Sequence, residues 1–457
     1  MAEHQFDLVV LGGGSAGYAT ALRATQLGMS VVVIEKDKLG GTCLHRGCVP
    51  TKALLHTAEL VDNIAEGASQ GVLAQLTEID MQAVNAHRLG IISSKHKGLQ
   101  GLLKANGITV IDGLGTLAAP NTVAVGDDRY VGKNVVLATG SYSRTLPGLE
   151  IEGRVITSEQ ALELEDIPES AIILGGGVIG VEFASVWRSL GAEVTIVEGL
   201  PHLVPNEEES ISKQLERAYK KRGIDFKLGV RFKSVSQTAE EVTVTLENGE
   251  TLTADYLLVA VGRGPATDGI GLDEVGVTRD RGFVPTNERL QTNVPGVWAI
   301  GDIVPGLQLA HRSYMQGIFV AEEIAGLNPV VVSDTNVPKV TYCNPEIASV
   351  GLTEAKAKEQ YGADKIASYE YNLAGNAKSS ILGTAGSVKV VREVDGPVLG
   401  VHMIGARVGE LVGEAQLIVN WDAHPEDVAP FIHGHPTQNE TIGEAMLKLA
   451  GKPLHAM

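Results

Sequence analysis

One unit of this sequence occurs twice. Phe6 to Lys36 reads FDLVVLGGGSAGYATALRATQLGMSVVVIEK, an apolar run, a Gly-rich turn, a stretch of helix length and a second apolar run. The pattern returns from Ala171 as AIILGGGVIGVEFASVWRSLGAEVTIVEG. Its glycines and terminal acid keep a constant offset, since 175 minus 12, 191 minus 28 and 198 minus 35 all equal 163. A duplicated strand, turn, helix and strand predicts α/β architecture with two Rossmann-like domains.

Each copy carries G-x-G-x-x-G, as Gly12, Gly14 and Gly17 and as Gly175, Gly177 and Gly180. The first glycine permits the tight turn, the second lets a pyrophosphate approach the backbone, and the third lets helix and strand pack closely. The phosphates then face free N–H groups at the positive end of a helix. Glu35 and Glu198 end the second strand of each copy, where a carboxylate accepts hydrogen bonds from the hydroxyls of an adenosine ribose. A 2′-phosphate is repelled there, and no arginine occurs between Glu198 and Asn206 to offer it a cationic fork, so the second copy reads as an NAD site.

Composition narrows the class. At roughly 100 to 200 residues per domain, 457 residues hold about three or four domains. With 54 glycines and 4% aromatic residues the chain suits layered sheets with many tight turns. A formal charge of −18 leaves no general phosphate-neutralising surface, which argues against nucleic acid as a partner. Met1 to Asp7 lead into Leu8–Leu11 without a basic leader or cleavage site, and no apolar run approaches the roughly 18 residues of a membrane span. The expectation is a cytoplasmic protein.

Three cysteines are too few for a secreted disulfide framework, so a close pair asks for a chemical explanation. Cys43 and Cys48 lie in GGTCLHRGCVPTK. Five steps of ideal helix rise about 7.5 Å, beyond the Cα separation of about 4.4 to 6.8 Å that a disulfide tolerates, so the segment must be distorted or enter a helix midway. Gly47 and Pro50 supply the local freedom and restriction for a kink. Inert thiols or half a metal site are the rival readings; zinc is disfavoured because the third cysteine, Cys343, is remote and no Cys-x-x-Cys partner exists. Lying just past the first dinucleotide unit, the pair is placed to exchange electrons with a bound flavin.

This segment resembles the active-site signature of the pyridine nucleotide-disulfide oxidoreductases. The resemblance implies FAD on the first unit, substrate interchange at Cys43 and flavin contact at Cys48. It places Thr42 and Lys52 at the flavin and pairs Lys52 with Glu182, the acid after the second Gly-rich turn. In HGHPTQNETIGEA it assigns His435 as base and Glu440 as its orienter, with His433 supporting the turn; a histidine titrates in the range needed to deprotonate a dithiol. The family's segment here reaches the active site of the other subunit, which implies a homodimer with shared sites. VVLATGS, ending at Ser141, and LLVAVGRGPAT, containing Gly262 and Arg263, resemble the crossovers out of and back into the FAD domain. Asp302 in VWAIGDI matches the ribityl-side carboxylate, with Ala310 close behind, and Gly115 matches an adenine-side contact. Gly262 and Arg263 fall at the nicotinamide side.

The implied organisation is an FAD domain over 1–145, an NAD domain over 146–266, a return segment of the FAD domain over 267–336, and a C-terminal α+β dimerisation domain over 337–457. The implied activity is oxidation of dihydrolipoyl groups, carried by the acyltransferase subunit of 2-oxoacid dehydrogenase complexes, with reduction of NAD. A reductase of a low-molecular-weight thiol and a mainly structural docking subunit are the alternatives. The former asks for an NADP fork after Glu198, and the latter does not need Cys43, Cys48, His435 and Glu440. A mercuric-type activity asks for a C-terminal cysteine pair that KLAGKPLHAM lacks. Cys343 has no assigned role, and His45 and Arg46, between the paired cysteines, are expected to tune a thiol pKa.

Overall fold

A computed structural model of the chain describes residues 2–331 and 333–456. The first apolar runs become strands Glu3–Leu11 and Val31–Glu35, joined by helix Ser15–Gln26. Leu8, Val9, Val10, Val32, Val33 and Ile34 are fully buried. Continuous apolar strands of this kind form only where both faces of a parallel sheet are covered. The sheet runs in the order Thr109–Asp112, Val31–Glu35, Glu3–Leu11, Asp128–Leu137. Its far side turns antiparallel through Thr122–Val125 and Gly115–Ala119, while Val297–Ala299 pairs in parallel with the end of Asp128–Leu137.

The second unit repeats the arrangement in the order Ile224–Leu228, Glu193–Glu198, Ser170–Leu174, Tyr256–Val259, Val155–Thr157, every pairing parallel. The duplication extends to register. Leu8 pairs with Val31 and Ala171 with Val194, and both partners are displaced by 163, as 171 minus 8 and 194 minus 31. A three-stranded antiparallel sheet, Phe232–Gln237, Val242–Leu246 and Thr251–Ala254, is attached to this unit. Two short strands, Ser141–Ser143 and Arg263–Pro265, pair antiparallel where the chain leaves the first unit and returns to it.

The C-terminal part is a five-stranded antiparallel sheet in the order Lys339–Thr341, Glu346–Gly351, Val398–Gly405, Ser387–Glu393, Ile366–Asn372. Helices Val408–Asn420 and Glu440–Leu449 cover it, and Val390, Val401, Met403, Ala415, Ile442 and Met446 are fully buried between the layers. A buried ion cluster fastens this layer to the second unit, with Lys389 Nζ 2.7 Å from Glu208 and 2.6 Å from Glu354. Two carboxylates on one ammonium compensate a charge that is costly to bury alone. Among the described residues no helix is long and apolar enough to cross a membrane.

Candidate active site

The cysteine segment is two helices rather than one. Gly41–His45 ends, Arg46 and Gly47 leave helical geometry, and Cys48–Glu66 begins. Gly47 has φ −137° and ψ −107°. That break brings Cys43 and Cys48 closer than one continuous helix allows, and it sets Cys48 on the first turn of a long helix. The two thiols are hydrogen-bonded and their titrations oppose each other. The bond from Cys43 is the largest influence lowering Cys48 to about 7, helped by the charge of Lys52 and by the helix-start N–H. The same bond, with burial, pushes the Cys43 thiol up. In the dithiol state Cys48 therefore holds the negative charge and Cys43 the proton.

Lys52 follows one turn after Cys48. Burial alone would favour its neutral form, but Glu182 keeps it charged, with carboxylate oxygens 2.8 and 2.9 Å from Nζ. Glu182 is only 3% exposed and comes from the helix after the second Gly-rich turn, so the pair bridges the two dinucleotide units. Tyr342, which sequence reasoning passed over, completes the cluster. Its backbone N–H donates to Glu182 Oε1 at 2.9 Å, and its ring centroid lies 4.8 Å from Lys52 Nζ. No motif marks it. Only the packing of the C-terminal layer against the first two units places it there. Its neighbour Cys343 is buried, donates to the Pro345 carbonyl at 3.1 Å, and is held up to about 12 by burial.

His45 and Arg46 are engaged elsewhere. His45 Nε2 lies 2.9 Å from the Leu39 carbonyl, with its ring edge-on to His96. Arg46 pairs with Asp37 and stands 3.7 Å from Glu159. The charges that act on the cysteine pair come from Lys52 and Glu182.

One cavity of about 1990 Å³ joins these groups to both Gly-rich turns. Its volume is about twice the upper range for a single drug-sized ligand, which suits two dinucleotides. Cys43, Cys48, Gly12, Gly14, Glu35, Thr42, Lys52, Gly115, Ser141, Asp302, Ala310, Gly175, Gly177, Glu182, Glu198 and Gly262 all line it. Gly17 and Gly180 do not, and the reason is steric. A Cβ on Gly17 would stand 1.8 Å from the Gly12 carbonyl oxygen, and one on Gly180 1.9 Å from that of Gly175. These are packing positions. The middle glycines face the cavity instead, and a Cβ on Gly177 would meet no protein atom within 4 Å. Helices Ser15–Gln26 and Val178–Ser189 start there without a side-chain cap or an acid in the first turn, leaving N–H groups free for phosphate.

The two terminal acids are held alike. Glu35 accepts from Gly13 N–H at 2.6 Å and Asp37 N–H at 2.9 Å; Glu198 accepts from Gly176 N–H at 2.7 Å and Leu200 N–H at 2.8 Å. Each carboxylate keeps acceptor capacity for a ribose diol. Donor set, free helix ends and cavity thus fit two dinucleotides.

Asp302 accepts from Ser141 Oγ at 2.6 Å, and Arg263 grips the same serine through Nε to Oγ and Nη2 to the carbonyl, both at 2.8 Å. The Arg263 side chain is 13% exposed, and it ties the two crossovers to the Asp302 side of the cavity.

The distal pair is formed but lies apart from the cavity lining. His435 Nδ1 is 2.8 Å from Glu440 Oε1, and the imidazole is 72% exposed. Burial would raise Glu440, but the Thr437 N–H and His435 outweigh it and hold the carboxylate below its ordinary range. His433 faces a different acid, Glu414, at 2.8 Å, and that contact raises its pKa.

The chain's relatives agree with this geometry. Residues 6–317 match the sequence family described as pyridine nucleotide-disulphide oxidoreductase, and residues 337–446 match its dimerisation domain. A dihydrolipoyl dehydrogenase of Bacillus subtilis (strain 168) is 40% identical, over 99% of both chains. A leghemoglobin reductase of Glycine max is 38% identical over 98% of this chain and 88% of its own. The crystal structure of LpdA from Mycobacterium tuberculosis superposes with a TM-score of 0.89 at 26% identity, covering 98% of this chain and all of that one. By its duplicated nucleotide units, its cysteine pair and these matches, the chain belongs to the pyridine nucleotide-disulphide oxidoreductase family.

Proposed function

We propose that the chain oxidises dihydrolipoyl groups to the lipoyl disulfide with reduction of NAD⁺, as a homodimer serving the lipoyl-bearing acyltransferase subunit of 2-oxoacid dehydrogenase complexes. The observation that carries the reading is the shared cavity, in which the cysteine pair and the Lys52–Glu182 bridge stand between the two dinucleotide units. The near full-length similarity to dihydrolipoyl dehydrogenases supports the choice of substrate. On this reading the domains divide as 1–145, 146–266, 267–336 and 337–457.

Bound FAD supplies a two-electron relay between the cysteine pair and NAD⁺. The protein's part begins with a proton. His435 of one protomer, oriented by Glu440, takes a proton from a substrate thiol at the cavity of the other protomer. The resulting thiolate attacks Cys43 in the oxidised pair. The Cys43–Cys48 bond breaks, and its electron pair leaves on Cys48, which Lys52 and the helix start stabilise as thiolate. A mixed disulfide now joins Cys43 to the substrate. The second substrate thiol attacks its own neighbouring sulfur, closes the lipoyl disulfide and releases Cys43, which recovers a proton. With the pair reoxidised, the sum is dihydrolipoyl plus NAD⁺ giving lipoyl disulfide, NADH and H⁺.

The test mixes purified protein anaerobically with dihydrolipoamide and either NAD⁺ or NADP⁺ and follows reduced nicotinamide. NADH formation that disappears in Cys43→Ser is expected. Turnover retained by that variant, or confined to NADP⁺, overturns the assignment.

A further inference from the structure

The absence of an arginine directly after Glu198 marks the second site as one for NAD. The tertiary structure supplies cations from another segment. Arg231 and Lys233, at the start of strand Phe232–Gln237, line the cavity beside Glu198 and Gly199. Arg231 precedes the strand and Lys233 stands where its register shifts between Phe232 and Ser234, and both side chains are exposed. The two residues before Arg231 are pinned to the loop that carries the acid, with Gly229 N–H donating to the Leu200 carbonyl at 2.9 Å and Val230 N–H to the Glu198 carbonyl at 3.3 Å, while Glu247 N–H donates to the Arg231 carbonyl at 2.9 Å. A Cβ placed on Gly199 would meet Arg231 Cγ at 3.6 Å, so the guanidinium stem packs over the residue that follows the acid. Glu247 also lines this end of the cavity, yet among the described residues neither cation has an acid at ion-pair distance, while other exposed cations such as Lys227 and Lys213 do.

We propose that Arg231 and Lys233 form a latent 2′-phosphate subsite at the adenosine end of the second unit, held weak by Glu198. The inference rests on the reading of that unit as a nicotinamide dinucleotide site. A guanidinium fork and an ammonium are the groups that a phosphate monoester takes as partners. The carboxylate between them and the nucleotide accepts a ribose diol but repels a dianion. Selection of NAD is then the work of one acid acting against cations already in place, and no new arginine is needed to admit NADP.

Calorimetric titration of the FAD-loaded protein with NAD⁺ and NADP⁺, which differ only in the 2′-phosphate, measures this without turnover. Wild type is expected to favour NAD⁺. Glu198→Gln is expected to tighten NADP⁺ on the order of tenfold, with a gain that shrinks as salt rises. Adding Arg231→Ala and Lys233→Ala to that variant should remove the gain. In the wild-type background the same two substitutions should weaken NADP⁺ more than NAD⁺, which keeps the test available if Glu198→Gln does not fold. An unchanged NADP⁺ affinity in Glu198→Gln, or a gain that survives loss of both cations, overturns the subsite while NAD⁺ binding still upholds the reading of the unit. Failure of wild type to bind either nucleotide overturns both.

Discussion

At the scale of single residues, the site depends on where one negative charge rests. Cys48 holds it because three influences agree: the bond from Cys43, the nearby Lys52 ammonium, and the N–H at the helix start. Lys52 in turn stays charged only because Glu182 compensates its burial. Lys52→Met removes the cation and leaves a buried carboxylate, and both changes disfavour the thiolate. The Cys48 pKa should therefore rise from about 7 by one unit or more, and alkylation of the reduced protein by iodoacetamide at about pH 7 should slow by about fivefold or more. An unchanged pH profile of alkylation would refute this account. Tyr342→Leu should shift the profile the same way by less, and Tyr342→Phe, which keeps a ring face over the ammonium, should restore it.

At the scale of elements, the two Gly-rich turns are separate devices. In each, the third glycine is fixed by the carbonyl of the first, at 1.8 Å from a Cβ on Gly17 and 1.9 Å from one on Gly180. A methyl group in either place forces strand and helix apart at a cost of about 1 to 3 kcal/mol. Gly17→Ala should lower FAD content, read from the visible absorbance of the purified protein. Gly180→Ala should weaken NAD⁺ binding with FAD content retained. Loss of FAD from the second variant with NAD⁺ binding intact would reverse the assignment of the two units. These elements were legible in the sequence because their demands are local: a tight turn, a close approach and an apolar run leave their mark within about 30 residues. A break between residues 43 and 48, with Gly47 in it, was legible as well, since one helix cannot bring the two within bonding reach; Pro50, the other residue expected to shape the kink, lies instead in the first turn of the second helix.

At the scale of the whole molecule, His435 and Glu440 form a hydrogen-bonded pair away from the cavity that holds the cysteines. Just before them stand Phe431 and Ile432, 67% and 98% exposed. A two-fold assembly that covers this segment can bring each imidazole to its partner's cysteine pair. Cys43→Ser and His435→Gln should each be inactive alone. After subunits are mixed and allowed to exchange at random, half the dimers are hybrids with one intact site, so about a quarter of wild-type dihydrolipoamide oxidation should return. No recovery, with hybrid dimers verified by mass, would place His435 in its own protomer's site. The sequence by itself determined what short-range geometry dictates: two nucleotide units at an offset of 163, a kinked cysteine pair, an acid at the end of each second strand, and a histidine five residues before a glutamate. Only the tertiary structure decided what meets across long separations. It set Tyr342 over Lys52, clamped Arg263 onto the Ser141 that binds Asp302, and laid Arg231 beside Glu198. Those contacts come from packing between layers, and the orientation of one layer on another leaves no periodic trace in the chain.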